Sequence, residues 1–294
     1  MPGSKPTALI FLPIALLVIA MCSIQGGAAL AKSLFPQVGA EGTTALRLSL
    51  AAIILSLVMR PWRKRLNISA WRSLVTYGSA LGGMNLMFYM SLKTVPLGIA
   101  VALEFTGPLV LALCSSRRAI DFIWIALAVF GLILLLPSEQ ATAPLDPLGA
   151  GLALAAGVCW VLYIIFGQQA GAEHGSHTVA LGTLVAALMI VPIGLVHAGS
   201  SLFHWSLLPI ALAVATLSSA LPYSLEMFAL TRLPARSFSI LMSLEPAVAA
   251  LSGLIFLHEQ LIASQWLAIG AIIIAALGTA TTVKPKPAAV KPAA

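Results

Sequence analysis

Long apolar runs separated by short polar connections dominate the sequence. A bilayer core about 30 Å thick is crossed by about 20 apolar residues of α-helix, and ten runs of this kind follow one another along the chain. The pattern predicts an all-α membrane protein with ten transmembrane helices whose neighbours are antiparallel, because the connections are short. The predicted helices cover approximately 9–31, 43–59, 71–92, 98–115, 121–137, 148–169, 177–197, 206–229, 237–256 and 264–283.

One motif occurs in both halves of the chain, at the fourth and at the ninth predicted helix. VPLGIAVALEFTGPL in the first half matches LPARSFSILMSLEPA in the second, and Pro96 and Pro108 are spaced as Pro234 and Pro246 are. Each copy is an apolar helix that carries a glutamate close to a proline. Proline in a helix interior removes a hydrogen bond and favours a kink, so we expect bends at Pro108 and Pro246.

The repeat predicts how the two halves are related. Each half holds five predicted helices, and an odd number means that the second half enters the membrane from the opposite side. The sequence therefore predicts two inverted five-helix repeats, residues 8–137 and 148–283, an architecture typical of secondary transporters. Residues 284–294, KPKPAAVKPAA, are predicted to form a disordered cytoplasmic tail.

Composition and charge support a membrane protein and exclude a nucleic-acid-binding one. The 294 residues are 60% hydrophobic and 9% charged, against about 25% charged in soluble domains. The net charge of +7 comes from basic residues in the connections, where cytoplasmic loops concentrate Lys and Arg. With both termini in the cytoplasm, thirteen Lys and Arg residues fall on the cytoplasmic side and only Lys32 and Lys93 on the other.

Four ionisable side chains lie within predicted membrane helices: Arg47, Glu104, Glu226 and Glu245. Each costs about 2.5–3.5 kcal/mol at the centre of a membrane helix on insertion scales. We therefore expect them to face the interior of the protein. An amino acid carries an ammonium and a carboxylate, and a site for it needs an acceptor and a cation close together, which these residues can provide.

Each of the four has a structural interpretation as well. Arg47 either binds a substrate carboxylate or reaches the interface and pairs with a glutamate. Glu104 and Glu245 either bind a substrate ammonium or a coupling proton, or form structural hydrogen bonds to neighbouring helices. Glu226 lies close to Arg232 in the sequence, which favours a local ion pair between them.

Neutral polar residues add to the predicted lining of a passage: Gln25, Asn85, Tyr89, Trp160, Tyr163, Gln168 and Tyr223. Gln168 lies at a helix end, where facing water is the alternative. Amide and phenol groups in hydrocarbon need hydrogen-bond partners, and Gln25 and Asn85 lie in the middle of their predicted helices. The alternative for the aromatic residues is anchoring at the membrane interface or packing.

Motifs of enzymes and of metal or cofactor sites were sought without success. His258 and Glu259 begin an HExxH-like string, but Ile262 stands where the second histidine would be. The three cysteines are single, with no ligand spacing. The sequence therefore predicts a protein without cofactor or metal that is not an enzyme, and a lipid-modifying membrane enzyme or a non-transporting scaffold are remote alternatives.

The chain also resembles a known family over about residues 8 to 283. VPLGIAVALEFTGPL and SLEPAVAALSG resemble the EamA-type members of the drug/metabolite transporter superfamily. Longer strings resemble its amino-acid exporters: SIQGGAALAKSLFP from Ser23, QQAGAEHG from Gln168 and LPYSLEMFALTRLPARSFSILMSLEPA from Leu221. The resemblance implies a multi-pass protein of the bacterial inner membrane that exports L-threonine and L-homoserine, coupled to the proton gradient. Export of another metabolite or of a drug-like amine is the alternative, and a homo-oligomer stays open.

Overall fold

The computed structural model describes residues 5–63, 71–135, 145–256 and 260–282, and in these residues all regular structure is helical. The predicted tail, 284–294, lies outside the described residues. The α-helices are α1 (Lys5–Ala31), α2 (Phe35–Met59), α3 (Trp71–Ser91), α4 (Leu97–Ser115), α5 (Ala119–Leu135), α6 (Pro147–His174), α7 (His177–Ala198), α8 (Leu208–Ala215), α9 (Leu221–Arg232), α10 (Ala235–Leu241), α11 (Leu244–Phe256) and α12 (Ala263–Thr282).

Six helical stretches within the described residues are long and apolar enough to cross a bilayer. The first contains both α1 and α2, and two shorter apolar helices, Ala119–Leu134 and Ala263–Thr279, come in addition. Large apolar side chains cover the outer surface, and Val196 is 83% exposed, as expected where the solvent is lipid. The six stretches are Leu12–Met59, Leu97–Ser115, Pro147–His174, His177–Phe203, Trp205–Arg232 and Ala235–Phe256.

The second predicted helix begins earlier than expected. It was predicted from residue 43, but α2 starts at Phe35 and bends at Gly39, whose φ of 70° is a conformation that glycine adopts at little cost. The predicted boundary was wrong because the charge of Glu41 indicates a polar connection when only the sequence is considered. In the structure Glu41 is buried and its carboxylate pairs with Lys93 at 2.6 Å, so its charge does not end the helix.

Two later predicted helices are interrupted. The predicted helix 206–229 contains a π-helical segment, Thr216–Ala220, between α8 and α9. The predicted helix 237–256 is broken between α10 and α11, so Pro246 lies in the first turn of α11 and not in a helix middle. Proline is well tolerated there because the first N–H groups of a helix have no intrahelical partner. α4, by contrast, continues through Pro108.

Helices from the two halves of the chain pack against each other throughout the bundle. α2 packs on α7, α3 on α6 and α5 on α12, while α4 contacts both α6 and α11, and α1 contacts both α9 and α11. The core between them includes fully buried aromatic side chains such as Tyr77, Phe105 and Tyr163.

Small residues permit the closest of these contacts. A Cβ on Gly78 would lie 2.7 Å from the carbonyl oxygen of Gly182 on α7, and one on Gly82 would lie 3.2 Å from the Ala186 Cα. On α6, a Cβ on Gly157 would overlap the backbone of α4. The backbones of α3 and α7, and of α4 and α6, therefore meet directly, which is the usual role of small residues in membrane helix packing.

Candidate functional site

A polar cavity lies inside the bundle, enclosed by α1, α2, α3, α4, α6, α9 and α11. Its volume is about 40 Å³, below the range of about 300–1,000 Å³ typical of small-molecule sites, so its side chains must move apart to admit a small molecule. Part of its wall is apolar and consists of Ile24, Ala28, Met84, Phe88 and Trp160. Its polar and charged lining is Gln25, Arg47, Asn85, Tyr89, Glu104, Tyr223, Glu226 and Glu245.

A second, larger space of about 550 Å³ lies between α2, α7, α8 and the residues before α8. The side chains that line it are mostly apolar, with Ser49 and His204 as polar exceptions. A ligand with two opposite charges finds no partners for them there, so the polar cavity is the better candidate for a small hydrophilic substrate.

Arg47 points into the polar cavity and is 2% exposed. Its Nη1 donates to the Ser218 carbonyl at 3.1 Å and its Nη2 to the Tyr223 hydroxyl at 3.5 Å, while its Nε has no partner among the described residues. No carboxylate of the described residues lies within ion-pair distance of it. The ion pair with a glutamate that was one structural interpretation of Arg47 is therefore absent among the described residues, and the side chain is buried inside the bundle.

The carbonyl that holds Arg47 is available because of a proline. Pro222 has no N–H, so it cannot donate to the carbonyl four residues earlier, that of Ser218. Ser218 lies in the π-helical segment between α8 and α9, and π-segments inside α-helices occur frequently at functional sites. The guanidinium of Arg47 donates to this carbonyl, as Pro222 cannot, and this hydrogen bond fixes the arginine in position.

Tyr89, Asn85 and Tyr223 complete the surroundings of the arginine. The guanidinium carbon of Arg47 lies 4.4 Å from the centroid of the Tyr89 ring, close enough for a cation–π interaction. The Tyr223 hydroxyl donates to Asn85 Oδ1 at 2.8 Å, and Asn85 Nδ2 donates to the Leu81 carbonyl at 2.7 Å. Both polar groups of Asn85 are thus bonded within the protein, and they orient the tyrosine toward Arg47.

Gln25 and Glu245 form a second polar group on the cavity wall. Gln25 Nε2 donates to Glu245 Oε1 at 2.8 Å across the contact between α1 and α11. The remaining oxygens, Gln25 Oε1 and Glu245 Oε2, are buried and have no partner among the described residues. The two atoms of this pair that lack any partner are therefore both acceptors.

Glu226 is bonded in a way that the sequence did not predict. Its Oε2 accepts a hydrogen bond from the Tyr163 hydroxyl at 2.9 Å, and the residue is 3% exposed. Arg232 instead donates to the Phe228 carbonyl and stacks on the Phe228 ring. The expected ion pair between Glu226 and Arg232 is wrong, because Glu226 faces the bundle interior while Arg232 lies at the helix end.

Glu104 faces the cavity from α4 without a hydrogen-bond partner for its carboxylate among the described residues. Its position depends on the contact between α4 and α6, where Gly157 lies against its backbone carbonyl. In the part of the chain that the structure describes, no three His, Cys, Asp or Glu side chains are close enough to hold a metal ion.

The loop between α3 and α4 is tied down at its two central residues. Lys93 pairs with Glu41 of α2, and the Thr94 hydroxyl donates to Asp146 Oδ2 at 2.6 Å. Asp146 also caps the N-terminus of α6 by accepting from the Gly149 N–H at 2.8 Å. These hydrogen bonds, that of Thr94 above all, hold the pKa of Asp146 below its ordinary value.

The structure brings together most of the residues that the sequence singled out. Seven of the eight predicted binding residues line the cavity: Gln25, Arg47, Asn85, Tyr89, Glu104, Glu226 and Glu245. The eighth, Tyr163, contacts Glu226. Trp160 and Tyr223 of the predicted lining also border the cavity, whereas Gln168 donates to the Leu230 and Leu233 carbonyls. Sequence reasoning missed the Ser218 carbonyl, for which Pro222 is the only signal, and the aliphatic part of the wall, which carries no signal that separates it from ordinary core.

Comparisons with known proteins identify the family. The model of the EamA-like transporter family matches residues 147–281. The threonine/homoserine exporter RhtA of Escherichia coli strain K12 is 60% identical over 284 residues, which cover 97% of this chain and 96% of that protein. The chain belongs to the EamA-like transporter family. The exporter of the same name from Salmonella typhimurium strain LT2 is also 60% identical, over 98% of this chain and 97% of its own length.

A solved structure shares the fold of this family member. It covers 91% of this chain and 97% of its own chain with a TM-score of 0.69, at 20% sequence identity. This likeness concerns the fold alone. The resemblance inferred from the sequence strings is confirmed by the family match and by the relatives, which are exporters and not enzymes.

Proposed function

We propose that this chain exports L-threonine and L-homoserine across the bacterial inner membrane. The observation that carries the proposal is the 60% identity, over 97% of the chain, to proteins that are named as exporters of these two amino acids. Identity of this extent without a large gap leaves the helices that enclose the cavity in common.

The chemistry of the cavity supports this substrate class. A zwitterionic amino acid needs a cation for its carboxylate and acceptors for its ammonium, because an ammonium group only donates. The cavity contains Arg47 without a carboxylate partner, and three carboxylates, those of Glu104, Glu226 and Glu245. A drug-like amine would use the carboxylates but would leave the buried arginine unmatched.

Alternating access between two inverted five-helix repeats, 8–137 and 148–283, is the mechanism we propose. Here α8 and α9 form one membrane crossing, as do α10 and α11, which gives ten. Exchanging the two repeats maps the α2–α7 and α5–α12 contacts onto themselves, the α3–α6 contact onto α1–α9, and the α4–α6 contact onto α1–α11. This correspondence of observed contacts supports the inverted repeat.

Buried carboxylates give the proton gradient a route into the same cycle. A carboxyl group that faces the cavity can take up a proton on one side of the membrane and release it on the other. Glu104 and Glu245 are the candidates, and both termini lie in the cytoplasm in this proposal. The break before Leu244 supplies a flexible point in the second repeat. In the first repeat, Pro108 removes one backbone hydrogen bond from α4, and a bend at this point during transport is part of the proposal.

Growth in toxic concentrations of homoserine, with and without overexpression of the chain, tests the function. We expect protection, and faster efflux of labelled threonine from loaded cells. Glu104→Gln and Glu245→Gln are expected to slow the efflux, whereas Glu173→Gln, the same change at an exposed position of α6, retains it. No protection by a chain present at normal levels in the membrane would contradict the proposal and favour a different metabolite or amine.

A further inference from the structure

The cavity contains buried polar atoms of two kinds that the protein itself leaves unpaired. Native proteins pair nearly all buried polar atoms, so each exception needs an explanation. One of these exceptions is a donor, Arg47 Nε, and two others are acceptors, Gln25 Oε1 and Glu245 Oε2. The three residues are 2%, 1% and 5% exposed, and all line the same cavity.

The donor side matches a carboxylate. In a guanidinium group, Nε and Nη2 point their N–H bonds in the same direction, and this edge binds a carboxylate with two parallel hydrogen bonds. Arg47 Nη1 is held by the Ser218 carbonyl, whereas Nη2 has only a 3.5 Å contact with the Tyr223 hydroxyl. The edge that remains open is therefore the one that carboxylates prefer.

The acceptor side matches an ammonium. One N–H of the Gln25 amide donates to Glu245 Oε1, and the two atoms of the pair without a partner are both oxygens. An ammonium group has three donors and no acceptor. A carboxylate oxygen next to an amide oxygen also supplies one negative charge, which balances the one positive charge of the ligand.

The other polar residues of the wall are less suited to this role. Glu226 accepts from Tyr163, and Asn85 is bonded through both its oxygen and its nitrogen. Glu104 is the one competitor, since it offers a carboxylate without a partner, but it has no amide beside it among the described contacts. The Gln25–Glu245 pair is thus the more complete ammonium site.

We infer that the cavity binds its amino acid in one orientation, with the α-carboxylate on the Nε–Nη2 edge of Arg47 and the α-ammonium between Gln25 Oε1 and Glu245 Oε2. The inference rests on the proposed function. It assigns a separate partner to each charged group of the substrate and leaves the hydroxyl-bearing side chain to the apolar wall. Glu104 then remains available for the proton.

Ligands that lack one charged group test the assignment. The full chain is purified in lipid nanodiscs, and threonine, threoninamide and 2,3-dihydroxybutanoate compete with labelled threonine. Threoninamide lacks the carboxylate and 2,3-dihydroxybutanoate lacks the ammonium. In the native chain we expect each analogue to bind about 10- to 100-fold more weakly than threonine, as expected for the loss of hydrogen bonds to charged groups.

The variants should then separate the two ends of the ligand. Arg47→Gln abolishes the preference for threonine over threoninamide but keeps the preference over 2,3-dihydroxybutanoate. Glu245→Gln and Gln25→Leu do the opposite. Arg72→Gln and Glu173→Gln, exposed positions at α3 and α6, are the matched controls and keep both preferences.

Three results would overturn the inference while the export function stands. Arg47→Gln could abolish the preference over 2,3-dihydroxybutanoate, with Glu245→Gln abolishing the preference over threoninamide. Alternatively, Glu104→Gln and not Glu245→Gln could abolish the preference over 2,3-dihydroxybutanoate, or neither Arg47→Gln nor Glu245→Gln could change a preference. Gln25→Leu, which adds no charge and removes none, serves if Glu245→Gln does not fold. A native chain that binds no threonine would contradict the proposed function itself, so the two failures are distinguishable.

Discussion

The contact between α4 and α6 offers the sharpest test of how the packing positions the site, because two glycines of α6 should respond oppositely to the same substitution. At Gly151 an added Cβ would meet nothing within 4 Å. At Gly157 it would overlap the Glu104 carbonyl oxygen and lie 3.2 Å from the Glu104 carbonyl carbon and 3.3 Å from the Gly107 nitrogen. These are backbone atoms, which cannot rotate away.

The magnitudes follow from this difference. Glycine costs about 1 kcal/mol relative to alanine inside a helix, so Gly151→Ala should stabilise the protein by up to about 1 kcal/mol. Gly157→Ala has the same gain in helix propensity, but overpacking costs about 1–3 kcal/mol and occasionally more. The cost is high here because α4 and α6 must separate. We expect a net loss of about 2 kcal/mol and a displaced Glu104.

Thermal unfolding of the purified protein in detergent measures both effects. With a shift of about 2–4 °C per kcal/mol for large domains, the midpoint should rise slightly for Gly151→Ala and fall by about 4–8 °C for Gly157→Ala. Threonine efflux should fall only in the second variant. If Gly157→Ala unfolds at or above the native midpoint and transports normally, the α4–α6 contact is not as the structure has it.

Three further changes probe individual contacts. Tyr163→Phe leaves the Glu226 carboxylate without its donor and should lower the free energy of unfolding by about 1.5–3 kcal/mol; an unchanged midpoint would refute the hydrogen bond. Pro222→Ala returns an N–H to the carbonyl that holds the buried arginine, so the KM for threonine should rise about tenfold, or ~1.4 kcal/mol, in proteoliposomes; an unchanged KM would count against this positioning. Because the pKa of Asp146 is lowered in the folded state, its carboxylate stabilises the fold above about pH 4 and this contribution is lost as the pH falls through the lowered pKa. The difference in unfolding midpoint between the native chain and Asp146→Asn should thus shrink in acid, and a constant difference would contradict it.

The sequence could predict which residues meet because membrane burial restricts where charge can lie. Arg47 and Glu245 are about 200 residues apart in the chain, yet both must avoid lipid. A bundle of this size has one interior, so both side chains are expected there. The same reasoning held for Gln25, which has no charge but does have an amide that hydrocarbon cannot satisfy.

The partners within the site could not be predicted, because they depend on tertiary contacts between helices. Glu226 bonds Tyr163 on another helix and not the nearby Arg232, which short sequence distance had favoured. The interrupted helices were missed for a related reason. Met242 is apolar, and the π-helical segment holds small hydroxyl residues that are also common in regular membrane helices, so the pattern alone carries no sign of a break.

Thiol labelling at the cavity wall tests the central claim most directly, namely that threonine occupies the space between Arg47 and the carboxylates. The chain carries Met84→Cys, a position that lines the cavity, with its three native cysteines replaced by serine, and reacts with a membrane-impermeant thiosulfonate in proteoliposomes. We predict that saturating threonine slows the labelling and that threoninamide does not, while Gly151→Cys is labelled equally under all conditions. Equal labelling of Met84→Cys with and without threonine, in a variant that still exports it, would contradict the account.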